Sequence, residues 1–232
     1  RNMLSALLAV SEYRHGSRSL EFILDMSRLT EVSRFTPSCL PVDEQLDIHL
    51  DVTDFRKRLS YEQMMGDYEE KYAIAAHENY CARRLEEAEK LQMDQTRIQE
   101  LKAEREMAPW EELDESFRRE YFSQIHYIGV QLQDYQSALG LRPVLPGSSD
   151  TITELYGPVL EELSEMEHRR WMLDREKEGW RYGQYDPDAK TTPEMVPYDE
   201  LDEVSRENIR LIVRAIPENL LAIGFELYRK VV

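Results

Sequence analysis

From Tyr72 to Ala108 the chain contains neither glycine nor proline. A backbone with no breaker over that distance, and with apolar residues at helical spacing, has little alternative to helix. Tyr72, Ala75, Ala76, Tyr80 and Arg83 to Leu85 mark the first amphipathic stretch. "ARRLEEAEKLQMDQTRIQELKAERE" extends it as a solvated helix, with Glu86 and Lys90 paired at i, i+4 and a break expected near Asp94–Gln95. Pro109 suits a helix start, Asp114 a cap and Gly140 a C-terminal stop. The chain therefore reads as mainly α-helical.

The rest of the chain divides around this run. Residues 1–58 mix a helix, a proline-bounded loop and an extended piece. Leu20, Ile23, Leu24 and Ser27 form one helix face, with Ser17 or Ser19 as its cap, while Leu46, Ile48 and Leu50 alternate as in a short strand. Residues 61–141 carry the helical run. "GLRPVLPGSSD" has the composition of a linker, assigned to residues 142–150. Residues 151–232 begin with a helix bearing Leu160, Leu163, Met166, Trp171 and Leu173. They end in one or two more helices, the last opened by Pro217.

With 41% apolar and 32% charged residues among 232, the composition is that of a folded globular protein. The net charge of −17 disfavours nucleic acid and anionic membrane surfaces, though a local basic patch could still meet a small anion. No apolar run is long enough to span a bilayer, and "RNMLSALLAV" lacks a cleavage site, so no signal peptide is expected. The start at Arg1 with helical periodicity already running suggests a piece of a longer protein. Cys39 and Cys81 lie far apart and read as reduced thiols of a cytoplasmic protein. No phosphate-binding glycine loop, paired-cysteine motif or His-Glu-x-x-His occurs, and the five histidines lack ligand spacing. No nucleophile lies beside a base. Neither catalysis, a metal nor a cofactor is expected.

The chain also repeats itself. His77, Tyr80 and Arg84 are spaced as His168, Trp171 and Arg175. Pro109-Trp110-Glu111-Glu112-Leu113, Arg118, Ile128 and Leu132 are spaced as Pro197-Tyr198-Asp199-Glu200-Leu201, Arg206, Ile216 and Leu220. Only the inserts, 85–108 and 176–196, differ, by three residues. The second copy, through His168, Trp171, Gly179, Trp180, Tyr182, Gly183, Asp186, Lys190, Pro193, Pro197, Tyr198, Leu201 and Arg206, resembles the Ry domain, the repeat named from ryanodine receptors and found also in bacterial and archaeal proteins. It departs from the family where "QYDPD" follows the Tyr-Gly pair and where Thr192 precedes Pro193. The first copy lacks Gly-Trp-x-Tyr-Gly and is a divergent version. The resemblance implies two tandem helical units, 61–141 and 151–232, in a bacterial protein, acting as a module and not a catalyst. Separately, Gly16, Arg18 and Leu20 resemble the lid helix of AAA+ ATPases, so residues 1–58 are expected to finish a preceding domain.

"GWRYGQYDPDAKTTPEMVPYDEL", residues 179–201, is the stretch that points to a function. Its glycines permit unusual backbone angles, and its prolines lower the entropy of the unfolded chain. Trp171, Trp180, Tyr182, Tyr185 and Tyr198 offer flat faces, each stack being worth about 1–3 kcal/mol in nucleic-acid analogues. Arg175, Arg181 and Lys190 could meet a phosphate or carboxylate. The expectation is a small anionic, nucleotide-like ligand held by this loop and the His168–Trp171 helix, in a module joined to other domains. The plainer alternative makes Trp171 and Trp180 core residues, His168 a hydrogen-bonded structural residue, and the chain a scaffold or homo-oligomer with its loop buried. Arg206, recurring as Arg118, is expected to form an ion pair with Asp199 or Glu200.

Overall fold

A computed structural model describes residues 2–8, 10, 12–30, 32–134 and 139–230. The chain forms two compact units, Arg1–Glu69 and Glu70–Val232. The boundary thus lies beyond the expected 58–61. The fold is mainly α, and among the described residues no helix is long and apolar enough to cross a membrane.

The first unit contains α1 (Asn2–Leu8), α2 (Ser17–Met26), α3 (Asp43–Leu46) and α4 (Val52–Met65). Leu7, Ile23, Leu46, Leu50 and Phe55 are fully enclosed in its core. The strand expected through Leu46, Ile48 and Leu50 is instead the end of α3 and a turn. Leu46 and Leu50 are four apart, so both point inward while Ile48 stays 57% exposed. Leu50 makes only an isolated bridge to Tyr13. Asp51 caps α4 by accepting from the Asp54 backbone N–H. α2 follows Gly16, and neither Ser17 nor Ser19 makes a side-chain cap.

The second unit starts with α5 (Glu69–Lys90), which breaks at Leu91–Asp94 and resumes as α6 (Gln95–Lys102), capped by Asp94. Single 3-10 turns at Arg105–Met107 and Trp110–Glu112 lead to α7 (Glu115–Asp134). Strands β1 (Leu139–Pro143) and β2 (Thr151–Ile152) precede α8 (Gly157–Lys177). After β3 (Arg181–Tyr182) and β4 (Thr191–Thr192), a 3-10 turn at Tyr198–Glu200 enters α9 (Glu203–Arg214), then α10 (Ile216–Ala222) and β5 (Phe225–Arg229). On α5 the buried face is Tyr72, Ala73, Ala76 and His77. On α8, Leu160, Leu163 and Met166 are buried but Leu173 is exposed.

Two expectations fail here for one reason. β1 and β2 both pair antiparallel with β5, giving the order β1-β5-β2. Residues 142–150 are therefore not a linker but the connection between two strands of one sheet. The chain end expected as helix is its central strand, released from α10 by Gly224 at φ +84°. The polar anchor of the sheet is Arg142, which donates to Asp150 at 2.6 Å and Glu226 at 2.7 Å and lies over the Tyr228 ring at 4.4 Å.

The Arg142 guanidinium beside Asp150 lowers that carboxyl from its ordinary 3.8 to about 2. A depressed carboxyl contributes stability above its unfolded pKa and loses it as pH falls through the folded one. Thermal stability should therefore fall between pH 3.8 and about pH 2, more steeply in the wild type than in Asp150→Asn. Melting curves of both proteins across that interval test the assignment, and parallel profiles would refute it.

Candidate functional site

The loop is built from the end of α8 outward. Gly179, at φ +90°, lets the Trp180 N–H return to the Arg175 carbonyl and its own N–H to that of Glu176. This pairing satisfies two of the carbonyls a helix leaves free at its end. Lys190 covers a third, its Nζ donating to the Glu178 carbonyl at 2.7 Å. β3 and β4 lie parallel, Asp186 and Thr191 exchange backbone bonds, and Asp186 Oδ1 accepts from the N–H groups of Asp188 and Ala189. The loop is thus ordered by its own polar groups.

It does not enclose a pocket. Tyr182 and Tyr185 are each 68% exposed, so the alternative of a loop buried as core fails as well. Trp180 is half-buried against the Arg175 guanidinium, which lies 5.2 Å from its ring and 5.6 Å from that of Trp171. Arg175 in turn pairs with Glu120 and Glu178. The Tyr198 hydroxyl donates to Glu161, which also holds Arg210 at 2.7 Å and is kept below the usual carboxylate range by that guanidinium. Arg175 and Lys190, offered by the sequence to an anion, are occupied within the protein.

Two segments of the second unit share a clasp. His168 Nε2 donates to the Val196 carbonyl at 2.7 Å, and His77 Nε2 to the Ala108 carbonyl at 2.8 Å. Each acceptor immediately precedes the proline of its segment, where the chain is extended and enters a 3-10 turn. Leu113 and Leu201 are then buried, as are Ile128 with Leu132 and Ile216 with Leu220. His168 also stacks on Trp171 at 5.6 Å. Arg118 and Arg206 pair at i−3 with Glu115 and Glu203, not with the residues expected for Arg206, and the Nε of each is buried without a hydrogen bond.

Between the clasped halves lies a cleft of about 810 Å³, with α5 and α7 on one side and α8 and α9 on the other. Tyr80, Phe117, Tyr121 and Trp171 give it aromatic walls, and Arg83, Arg84 and Arg170 bring cations to it. Burial pushes the Tyr80 phenol up to about 12, with Glu106 beside it, and raises that of Tyr121 further, so both stay neutral hydroxyls. Of the expected ligand residues, Trp171 lines this cleft and Arg175 packs behind it. Trp180, Tyr182, Tyr185, Lys190 and Tyr198 do not line it.

Sequence reasoning missed the polar lock at the cleft's base. Arg170, 10% exposed, donates to Glu167 at 2.6 Å, to Asp174 at 3.1 Å and to Ser123 at 2.9 Å across to α7, while Gln131 donates to Glu167. In a helix as charged as α8, an inward Arg–Glu pair carries the same letters as an outward one. Removing one partner of such a buried pair typically costs about 3–5 kcal/mol. Arg170→Ala should therefore lower the melting temperature by on the order of 10 °C. A shift within 2 °C or so of wild type in calorimetry would show the pair to be a solvated one.

Residues 148–229 match the family model of the RyR domain, in a single copy. The match runs from the residues before β2 through β5 and so takes in α8, the loop, α9 and α10.

Proposed function

We propose that the second unit is a non-catalytic ligand-sensing module of a larger protein, built from two tandem Ry-type copies of which the first is divergent. The ligand is a small anionic molecule with a flat ring, nucleotide-like, and its site is the cleft between the copies and not the loop. One observation carries this reading: a cleft of about 810 Å³ with aromatic faces on both walls and guanidinium groups at its edge. Small-ligand sites are usually about 300–1,000 Å³, largely apolar and supplied with a few convergent polar groups.

The cations need not be free beforehand. Arg83 pairs with Glu218, and Arg84 with Glu104 and Glu106, in partly solvated bridges. Such bridges are worth about 0–1 kcal/mol, so a phosphate can replace a carboxylate at little cost. The loop serves the site at one remove, stacking Trp180 and Arg175 behind Trp171. The first unit is assigned to the end of a preceding domain, supported by Phe22 and Met26, one helical turn apart on α2 and both exposed. Two free thiols are in keeping with a cytoplasmic setting.

Titrating the chain with AMP, GMP, CMP and UMP while following tryptophan fluorescence and thermal melting tests the proposal. At least one should bind saturably and raise the melting temperature, stabilising the native state by about 2.7 kcal/mol at a hundredfold excess over Kd. Trp171→Ala, checked for folding by circular dichroism, should abolish the response, and Tyr182→Ala with Tyr185→Ala should leave it intact. Binding that survives Trp171→Ala, or is lost with the two loop tyrosines, would place the site elsewhere.

A further inference from the structure

Gln124 on α7 is 6% exposed and lines the cleft. Its carboxamide is engaged by no other described residue, and it is not among the buried side-chain atoms cut off from a partner, so its polar atoms open onto the cleft. Other buried amides here are satisfied: Gln131 donates to Glu167, and Asn79 donates to Asn219.

Its position sets what could satisfy it. Gln124 follows Phe117 and Tyr121 at i+7 and i+3, so the three share one face of α7. A ring stacked along that aromatic face would present its edge, not its plane, to the carboxamide. A carboxamide offers an acceptor oxygen beside a donor nitrogen. The complementary edge carries a donor next to an acceptor, as an amide or an aminated heterocycle does, and the amide can rotate to either order. Carboxylates, by contrast, accept only, so Glu120 and Glu167 at the same cleft could not read such an edge.

We propose that Gln124 is the specificity-determining residue of the cleft, reading the polar edge of the ligand's ring and selecting rings that set a donor beside an acceptor. This rests on the cleft being a site for a flat ligand.

The test compares a base monophosphate with one lacking the edge. AMP, GMP, CMP and UMP all carry a donor beside an acceptor, whereas purine riboside 5′-monophosphate has no exocyclic group. In isothermal titration of the full chain, the tightest-binding of the four should exceed purine riboside monophosphate by about tenfold or more, the range of a good two-point contact. Gln124→Met, close in size and without hydrogen bonds, should remove most of that difference by weakening the edged ligand and leaving the control unchanged. Equal affinity of the edged and edgeless ligands for wild type overturns the assignment of Gln124, with the cleft still a ligand site. So does a preference that persists in a folded Gln124→Met. No saturable binding by any of the five overturns the ligand reading and the inference together. Should the Met variant fail to fold, the wild-type ratio decides by itself.

Discussion

Two segments of the second unit are each returned to a helix by one hydrogen bond, from an imidazole Nε2 to a carbonyl that precedes a proline. That carbonyl is well suited to be the acceptor, because a residue before proline is pushed out of the helical region and has no helix partner for its oxygen. His77 and His168 are both buried, so an unmatched ring nitrogen would be costly, and the clasp satisfies donor and acceptor together. The 3-10 turn, the buried leucine and the arginine at i+3 from its glutamate all follow the proline that the clasp holds.

The two sides of the cleft meet through charge: Arg170 donates to Ser123 on α7, Gln131 donates to Glu167, and Arg175 pairs with Glu120. Such pairs fix direction and distance more sharply than apolar packing, which slides. They hold the helices far enough apart to leave a cleft rather than closing them into a core. The outcome is a space with aromatic faces and guanidinium groups at its edge.

The aromatic loop shows how composition can mislead about purpose. Its glycines, prolines and tyrosines are those of a binding loop, and its backbone is indeed held by its own hydrogen bonds. Yet Arg175 is taken by Glu120 and Glu178, and Lys190 by a helix carbonyl. Its contribution to the cleft is indirect, through the stack of Trp180 and Arg175 behind Trp171.

The helical class, the long run through α5 with its break near Asp94 and the spacing of His168 and Trp171 were all legible in the amino-acid order alone. They obey local rules: breaker placement and 3.6-residue periodicity. That residues 142–150 join two strands, and that the chain's end lies between those strands, emerged only from the packed unit. A strand of five residues has no signal of its own when its partners are distant and its buried Glu226 is neutralised by Arg142. Packing also settled which cations are engaged and which residues face the cleft. Nothing in the sequence singles out Gln124 or Arg170, because an inward polar group differs from an outward one only by the helix standing opposite, and that is set by the packing of the whole unit.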